Sequence, residues 1–258
     1  MQRERLITLG YWVGTLLALS GLWWWAAASG RFTPHVLPPP QDVFESFGRV
    51  MDGYMGGDIW THLWASLKVV FLSFSLAVLI GVPVGVLMAW IKPVGVVMSP
   101  LISMLRPIPP PAWIPLAILW FGIELKGKVF VCFVAAIVPV LVNSFLAIQQ
   151  TQVGLLNAAR TLGASRTRLL FEVALPSGLP VIMTGLRISL GLTWATIVAA
   201  ELVVASAGFG FLIMNGYRNF ESAIMAGAMI GIAVVAVLMN VGFEFVERRI
   251  LHWIPSND

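Results

Sequence analysis

Four charged side chains, Arg160, Arg166, Arg168 and Glu172, fall within NAARTLGASRTRLLFEVALP at 157–176, between segments almost free of charge. In or beside the apolar runs lie Lys68, Arg106 and Arg187, and Glu201 is the carboxylate set well inside one. No spacing among these groups suits catalysis. The chain has no GxxxxGK[ST] loop to cradle nucleotide phosphates, no Ser/His/Asp set and no paired carboxylates. His35, His62 and His252 are scattered without ligand spacing, and the lone Cys132 reads as a small buried residue, so neither a metal site nor an internal disulfide is expected. What remains is the chemistry of contact and of field: a polar surface at 157–176 for another protein, and arginines that favour an anion.

The arginines are the sharper case, because one at mid-membrane costs about 2.5–3.5 kcal/mol on insertion scales. Arg106 and Arg187 must therefore face protein or water. Either they flank a solute path and give it a positive field, or they snorkel or pair near the cytoplasmic helix ends. Glu201 follows Arg187 by fourteen positions, about 21 Å along one helix at 1.5 Å per residue, so the two are not a direct pair. It belongs nearer the external end, where it contacts a gate, a binding protein or hydrogen-bonding groups of a second copy. Trp113 and Trp194 are candidates for an aromatic lining of the path. Among eleven tryptophans, however, Trp23, Trp24 and Trp25 fit an interfacial belt better.

The elements that must position these residues follow from composition. Of 258 residues, 59% are hydrophobic and 11% charged, and the mean hydropathy of +0.89 belongs to an integral membrane protein. The net charge of +4 is too small to argue for nucleic acid. With roughly 20 apolar residues needed per span, one transmembrane domain over 1–258 is expected, with spans at 9–29, 64–90, 98–121, 128–148, 180–204 and 224–245. The first follows Arg3 and Arg5 and ends in Ala26, Ala27 and Ala28 like a cleaved secretory signal. Its length and the later spans favour a retained anchor.

The third span, SPLISMLRPIPPPAWIP, is crowded with prolines, each of which removes an N–H and disturbs the preceding turn. A broken span that faces protein is expected there. Residues 30–63 read as an external loop with a short amphipathic helix near 41–51. With the N-terminus inside, the internal connections hold Arg3, Arg5, Lys92, Arg160, Arg166, Arg168, Arg248 and Arg249. The external ones hold Arg31, Arg49, Lys126, Lys128 and Arg218, a bias toward cytoplasmic termini.

That orientation makes 149–178 the longest cytoplasmic connection. It contains good helix formers, Gly163 and then Pro176, and reads as a helix, a turn and a second helix stopped by the proline. Ala158, Ala159, Gly163 and Leu175-Pro176 carry the spacing of the EAA loop, with Val173 in the place usually held by isoleucine. The chain thereby resembles permease subunits of binding-protein-dependent ABC importers. It departs at the first position, which is Asn157 rather than glutamate, although Asn is a sound helix N-cap. LRPIPPPAWIPLAILWFG (105–122), GLRISLGLTWATIVAAEL (185–202) and GFGFLI (208–213) are similar to the taurine, alkanesulfonate, nitrate and bicarbonate branch, most of all to taurine and sulfonate members.

The resemblance implies an all-α type I ABC importer permease in a bacterial inner membrane, non-catalytic and without a cofactor of its own. ATP and Mg would sit on a separate ATPase. Asn157, Ala158, Ala159, Arg160, Leu162, Gly163 and Ala164 would form a coupling helix docked in that ATPase. The complex would hold two permease copies, two ATPases and a periplasmic or lipid-anchored binding protein. Gly208 and Gly210 permit a tight external turn where the family places its outer gate; an ordinary loop is the other reading.

Two functions of another class compete. An ion-coupled secondary transporter would show inverted repeats and intramembrane carboxylates, and a membrane enzyme would need a polar cluster within its spans. The residues favour neither. Among ABC cargoes, taurine or another sulfonate is the first expectation, with nitrate, bicarbonate or an aromatic carboxylate as alternatives.

Overall fold

The computed structural model describes residues 2–54 and 56–253. Its elements are helices: α1 Gln2–Ala28, α2 Pro40–Met51, α3 Ile59–Trp90, α4 Lys92–Leu105, α5 Ile114–Phe121, α6 Leu125–Gln149, α7 Val153–Thr161, α8 Arg166–Arg168, α9 Leu175–Val204, α10 Phe209–Arg218 and α11 Ser222–Ile250. Among the described residues four rods are long and apolar enough to cross a membrane: Ile59–Trp90, Leu125–Gln149, Arg166–Val203 and Ser222–Ile250. The first expected span is helical as α1. The amphipathic helix expected near 41–51 is α2, which buries Val43, Ser46 and Val50.

The bundle centres on α6, packed between α3 and α9. Lipid is as apolar as a leucine side chain, so close approach of backbones, not exclusion of water, holds such helices together. The buried face of α6 is accordingly rich in small residues, Gly127, Cys132, Ala135, Ala136, Ser144 and Ala147, beside the larger Val131, Val140, Leu141 and Ile148. A Cβ on Gly85 of α3 would lie 2.7 Å from Ser144 Cβ, and one on Gly178 of α9 would lie 2.7 Å from the Ala147 carbonyl oxygen. Ser189 Oγ adds a hydrogen bond from α9 to the Ala136 carbonyl at 2.9 Å.

The expected third span is broken as the prolines require. It is α4 of 14 residues, a kinked link through Arg106, a 3₁₀ turn at Pro110–Trp113, and α5 of 8 residues. Neither half spans a bilayer alone. Only α5 faces protein in this chain: Ile114 and Ala117 are buried against Val131 and Ala200. No residue of α4 is buried, and Val96, Val97, Leu101 and Met104 are exposed.

Two local expectations are corrected. Asn157 is no N-cap: α7 starts at Val153 behind Gln152 and places Asn157 in its interior. Nor does Pro176 stop a helix. Residues Leu169–Ala174 widen into a π turn, and the chain runs on through Pro176 and Pro180 into α9 as a single rod. The wider turn accommodates the ring and the carbonyl that proline leaves without its usual donor.

Candidate functional site

At one end of the bundle α7, the turn at Gly163 and α8 form a hairpin. α7 closes with Ala164 N–H donating to the Ala159 carbonyl at 3.0 Å and Gly163 N–H to the Arg160 carbonyl at 2.9 Å. This pair of bonds is the Schellman stop, which needs a left-handed residue between them. Gly163 supplies it at φ +83°. Ser165 then caps the next helix, its Oγ accepting from Arg168 N–H at 3.3 Å.

The hairpin therefore owes its shape to local bonds, and its surface is free. α7 buries none of its residues, and Leu162 at the tip is 88% exposed. Asn157 Oδ1 accepts from Arg160 at 3.4 Å, and the small side chains of Ala158 and Ala159 keep the profile low. The base is anchored: Leu170 and Ala174 pack with Val86 and Ile148, and Arg166 donates to the Trp90 carbonyl at 3.1 Å. That carbonyl ends α3, where a cation also meets the negative end of the helix dipole. The base of the hairpin thus touches α3 and α6 and runs on into α9.

The opposite end holds a buried polar knot that brings Glu201, Gly208 and Gly210 together. Glu201, 1% exposed, accepts from Ser66 Oγ at 2.7 Å and from Gly210 N–H at 2.9 Å. Its carboxylate thereby meets the positive N-terminus of α10. Phe209 N–H donates to Ser66 Oγ at 3.2 Å, and Gly208 N–H to His62 Nδ1 at 3.1 Å. Since Nδ1 accepts, His62 is neutral and its Nε2–H donates to the Tyr54 carbonyl at 3.3 Å. Gly208 needs its φ of +126°, and a Cβ on Gly210 would fall 2.6 Å from Glu201 Cβ. The knot extends outward to Tyr54, whose hydroxyl donates to Glu221, which also pairs with Arg49 at 3.1 Å. Burial first, and that bond to Glu221 second, push the Tyr54 phenol above its ordinary 10.0.

Between the two ends lies a cavity of about 340 Å³ walled by α4, α6 and α9, with Arg106, Pro139, Asn143, Ile188 and Leu192 in its lining. Asn143 in this lining gives its amide N–H to the Pro139 carbonyl at 2.9 Å. Arg106 is exposed there, at the end of α4. Arg187 is elsewhere: it reaches Glu247 of α11 at 2.5 Å, the paired arrangement. Trp113 stands edge-on to Phe130 beside the α5 packing, and Trp194 is 5% exposed inside the core, its indole N–H on Met239 Sδ at 3.1 Å. Of the five residues expected at the path, Arg106 alone borders this cavity.

Sequence reasoning missed His62, Ser66 and Asn143. His62 and Ser66 are one helical turn apart at the start of an apolar run, a pattern that marks one polar face. It is an available signal that reading the histidines as scattered overlooked.

Residues 81–252 match the model of the binding-protein-dependent transport system inner membrane component family. The chain is 38% identical over 252 residues to the taurine transport system permease protein TauC of Escherichia coli, covering 97% of this chain and 91% of that one. It is 32% identical to the aliphatic sulfonates permease SsuC of the same organism, over 93% and 90%. To the bicarbonate permease CmpB of Synechococcus elongatus it is 38% identical, over 76% and 70%. An inward-facing structure of the MetNI methionine ABC transporter shares the fold with a TM-score of 0.64 at 24% identity, over 74% of this chain and 97% of that one. The exposed hairpin on a multi-pass apolar bundle and these matches converge: the chain belongs to the binding-protein-dependent transport system inner membrane component family, the permease subunits of ABC importers.

Proposed function

We propose that this permease carries a small sulfonate, taurine foremost, from a binding protein outside a bacterial inner membrane into the cytoplasm. It works as one of two identical copies over two ATPases that hold ATP and Mg, with both termini and the α7–α8 hairpin cytoplasmic. The hairpin carries the reading. Its apolar tip, small flanks and anchored base are what a motor needs to grip and pull. ATP-driven closure of the ATPases draws the two hairpins together, moves α3, α6 and α9 through the base, and opens the far end at the Glu201 knot. Arg106, facing the 340 Å³ cavity, favours an oxyanion in transit. Arg187, held by Glu247, serves packing.

Likeness to the taurine and sulfonate permeases supports the cargo, and likeness to the bicarbonate permease gives a second reading the same test separates. Proteoliposomes holding the permease and its ATPase are loaded with ATP and supplied with the binding protein. They should accumulate labelled taurine and ignore bicarbonate. Uphill uptake by the chain without any ATPase would overturn the mechanism, and preference for bicarbonate would overturn the cargo alone.

A further inference from the structure

A second cavity, about 620 Å³, lies at the end opposite the hairpin, between the start of α6, the last turn of α9, and α10. Its chemistry differs from that of the cavity at Arg106. Lys128 and Arg218 border it as cations, Glu124 as an anion, and Ser206 and Asn215 as neutral polar groups. Glu201 borders it too, buried and with each oxygen already accepting one bond, from Ser66 Oγ and from Gly210 N–H. The exposed carboxylate at the cavity, and so the one a solute meets, is that of Glu124. Among the described residues no ion pair within 4.0 Å engages Glu124, Lys128 or Arg218. Both signs of charge are held in one cavity, unpaired.

A site for a simple anion gains nothing from Glu124, which repels it. A site for a solute with separated charges uses all three groups. We infer that this cavity is a recognition site for a small zwitterion, with its oxyanion end on Lys128 and Arg218 and its ammonium end on Glu124. The inference rests on the sulfonate reading and deepens it: an amino-sulfonate passes here, whereas nitrate or an unsubstituted sulfonate engages only half the site. An anion at the residue that precedes α6, a cation on its first turn and a second cation at the end of α10 set the polarity of what fits.

The transporter complex in nanodiscs, without nucleotide, tests this by equilibrium binding of taurine and of ethanesulfonate, which lacks the ammonium. Both are measured on an Arg106→Gln background, so that the mid-chain cavity contributes no cation. Taurine should bind about tenfold tighter than ethanesulfonate, the scale of one charge-assisted hydrogen bond. Glu124→Gln should bring the two affinities together, and Lys128→Gln or Arg218→Gln should weaken both. Glu124 starts α6 without a side-chain cap bond, so its replacement leaves the helix intact. A preference that survives Glu124→Gln, or no binding of either probe, would overturn the proposal. In either case ATP-dependent taurine uptake, measured separately on the unmodified complex, still decides whether the transport reading stands.

Discussion

The two ends of the bundle are stabilised in opposite ways. The turn of the hairpin is built from bonds between residues at most five apart and leaves its surface bare, with Arg166 tying the base to Trp90. The knot is built from bonds between residues 135, 143 and 146 apart, and its donors and acceptors are buried. An element shaped by its own backbone keeps its form while it moves as a unit, which suits a handle. An element that exists only when three helices meet is lost when they part, which suits a gate.

Substitutions of the two glycines separate these roles. Gly210→Val would drive a branched side chain into Glu201 Cβ and the Val198 carbonyl, at 2.6 and 2.7 Å from a Cβ. It should lower thermal stability in detergent by about 1–3 kcal/mol, as overpacking does. Gly163→Val meets nothing within 4 Å, but forces a β-branched residue to φ +83°. The strain falls on an exposed turn that can reshape locally, so the unfolding midpoint should drop less than in Gly210→Val while uptake per ATP hydrolysed falls sharply. Equal loss of stability in both variants would dissolve the contrast between handle and gate.

Removing one hydroxyl from the knot comes next. Ser66→Ala leaves Glu201 Oε1 and Phe209 N–H without a partner in a buried place, which costs about 1–3 kcal/mol. Faster hydrogen exchange at the first amides of α10, with no change at α7, is the expected readout. Leu162→Asp should do the reverse: exchange at α10 unchanged, and binding of the ATPase weakened, because an exposed apolar tip becomes a charge.

The same contrast explains what could be read from the sequence. Gly163, the small residues around it and the proline-broken third span act through their own backbone, so their effect is visible in one stretch of chain. Glu201 could be placed at the far end by counting helical rise, and Gly208 and Gly210 by their turn. Its partner Ser66 could be set with His62 on one polar face of α3, but nothing local says that this face meets α9. The second half of the hairpin was misread for the same reason. Pro176 is a stop in an isolated helix, but here α3 and α6 hold Leu170 and Ala174 and carry the helix through.

The smallest expected effect probes whether the knot depends on the helix that supplies His62 and Ser66. Asp58 caps α3, accepting from Thr61 N–H at 2.9 Å and Thr61 Oγ1 at 2.5 Å, and these two bonds hold its carboxyl below the ordinary 3.8. A depressed folded value means the cap contributes fully above pH 3.8 and fades as pH falls below it. The carboxylate is open to water, so only the first turn of α3 should fray, seen as faster exchange of the Thr61 amide on acidification and absent in Asp58→Asn. His62 lies one turn further in, where its Nδ1 holds Gly208. If loss of the cap loosened α10 as much as Ser66→Ala does, the start of α3 rather than the buried carboxylate would be what holds the far end closed.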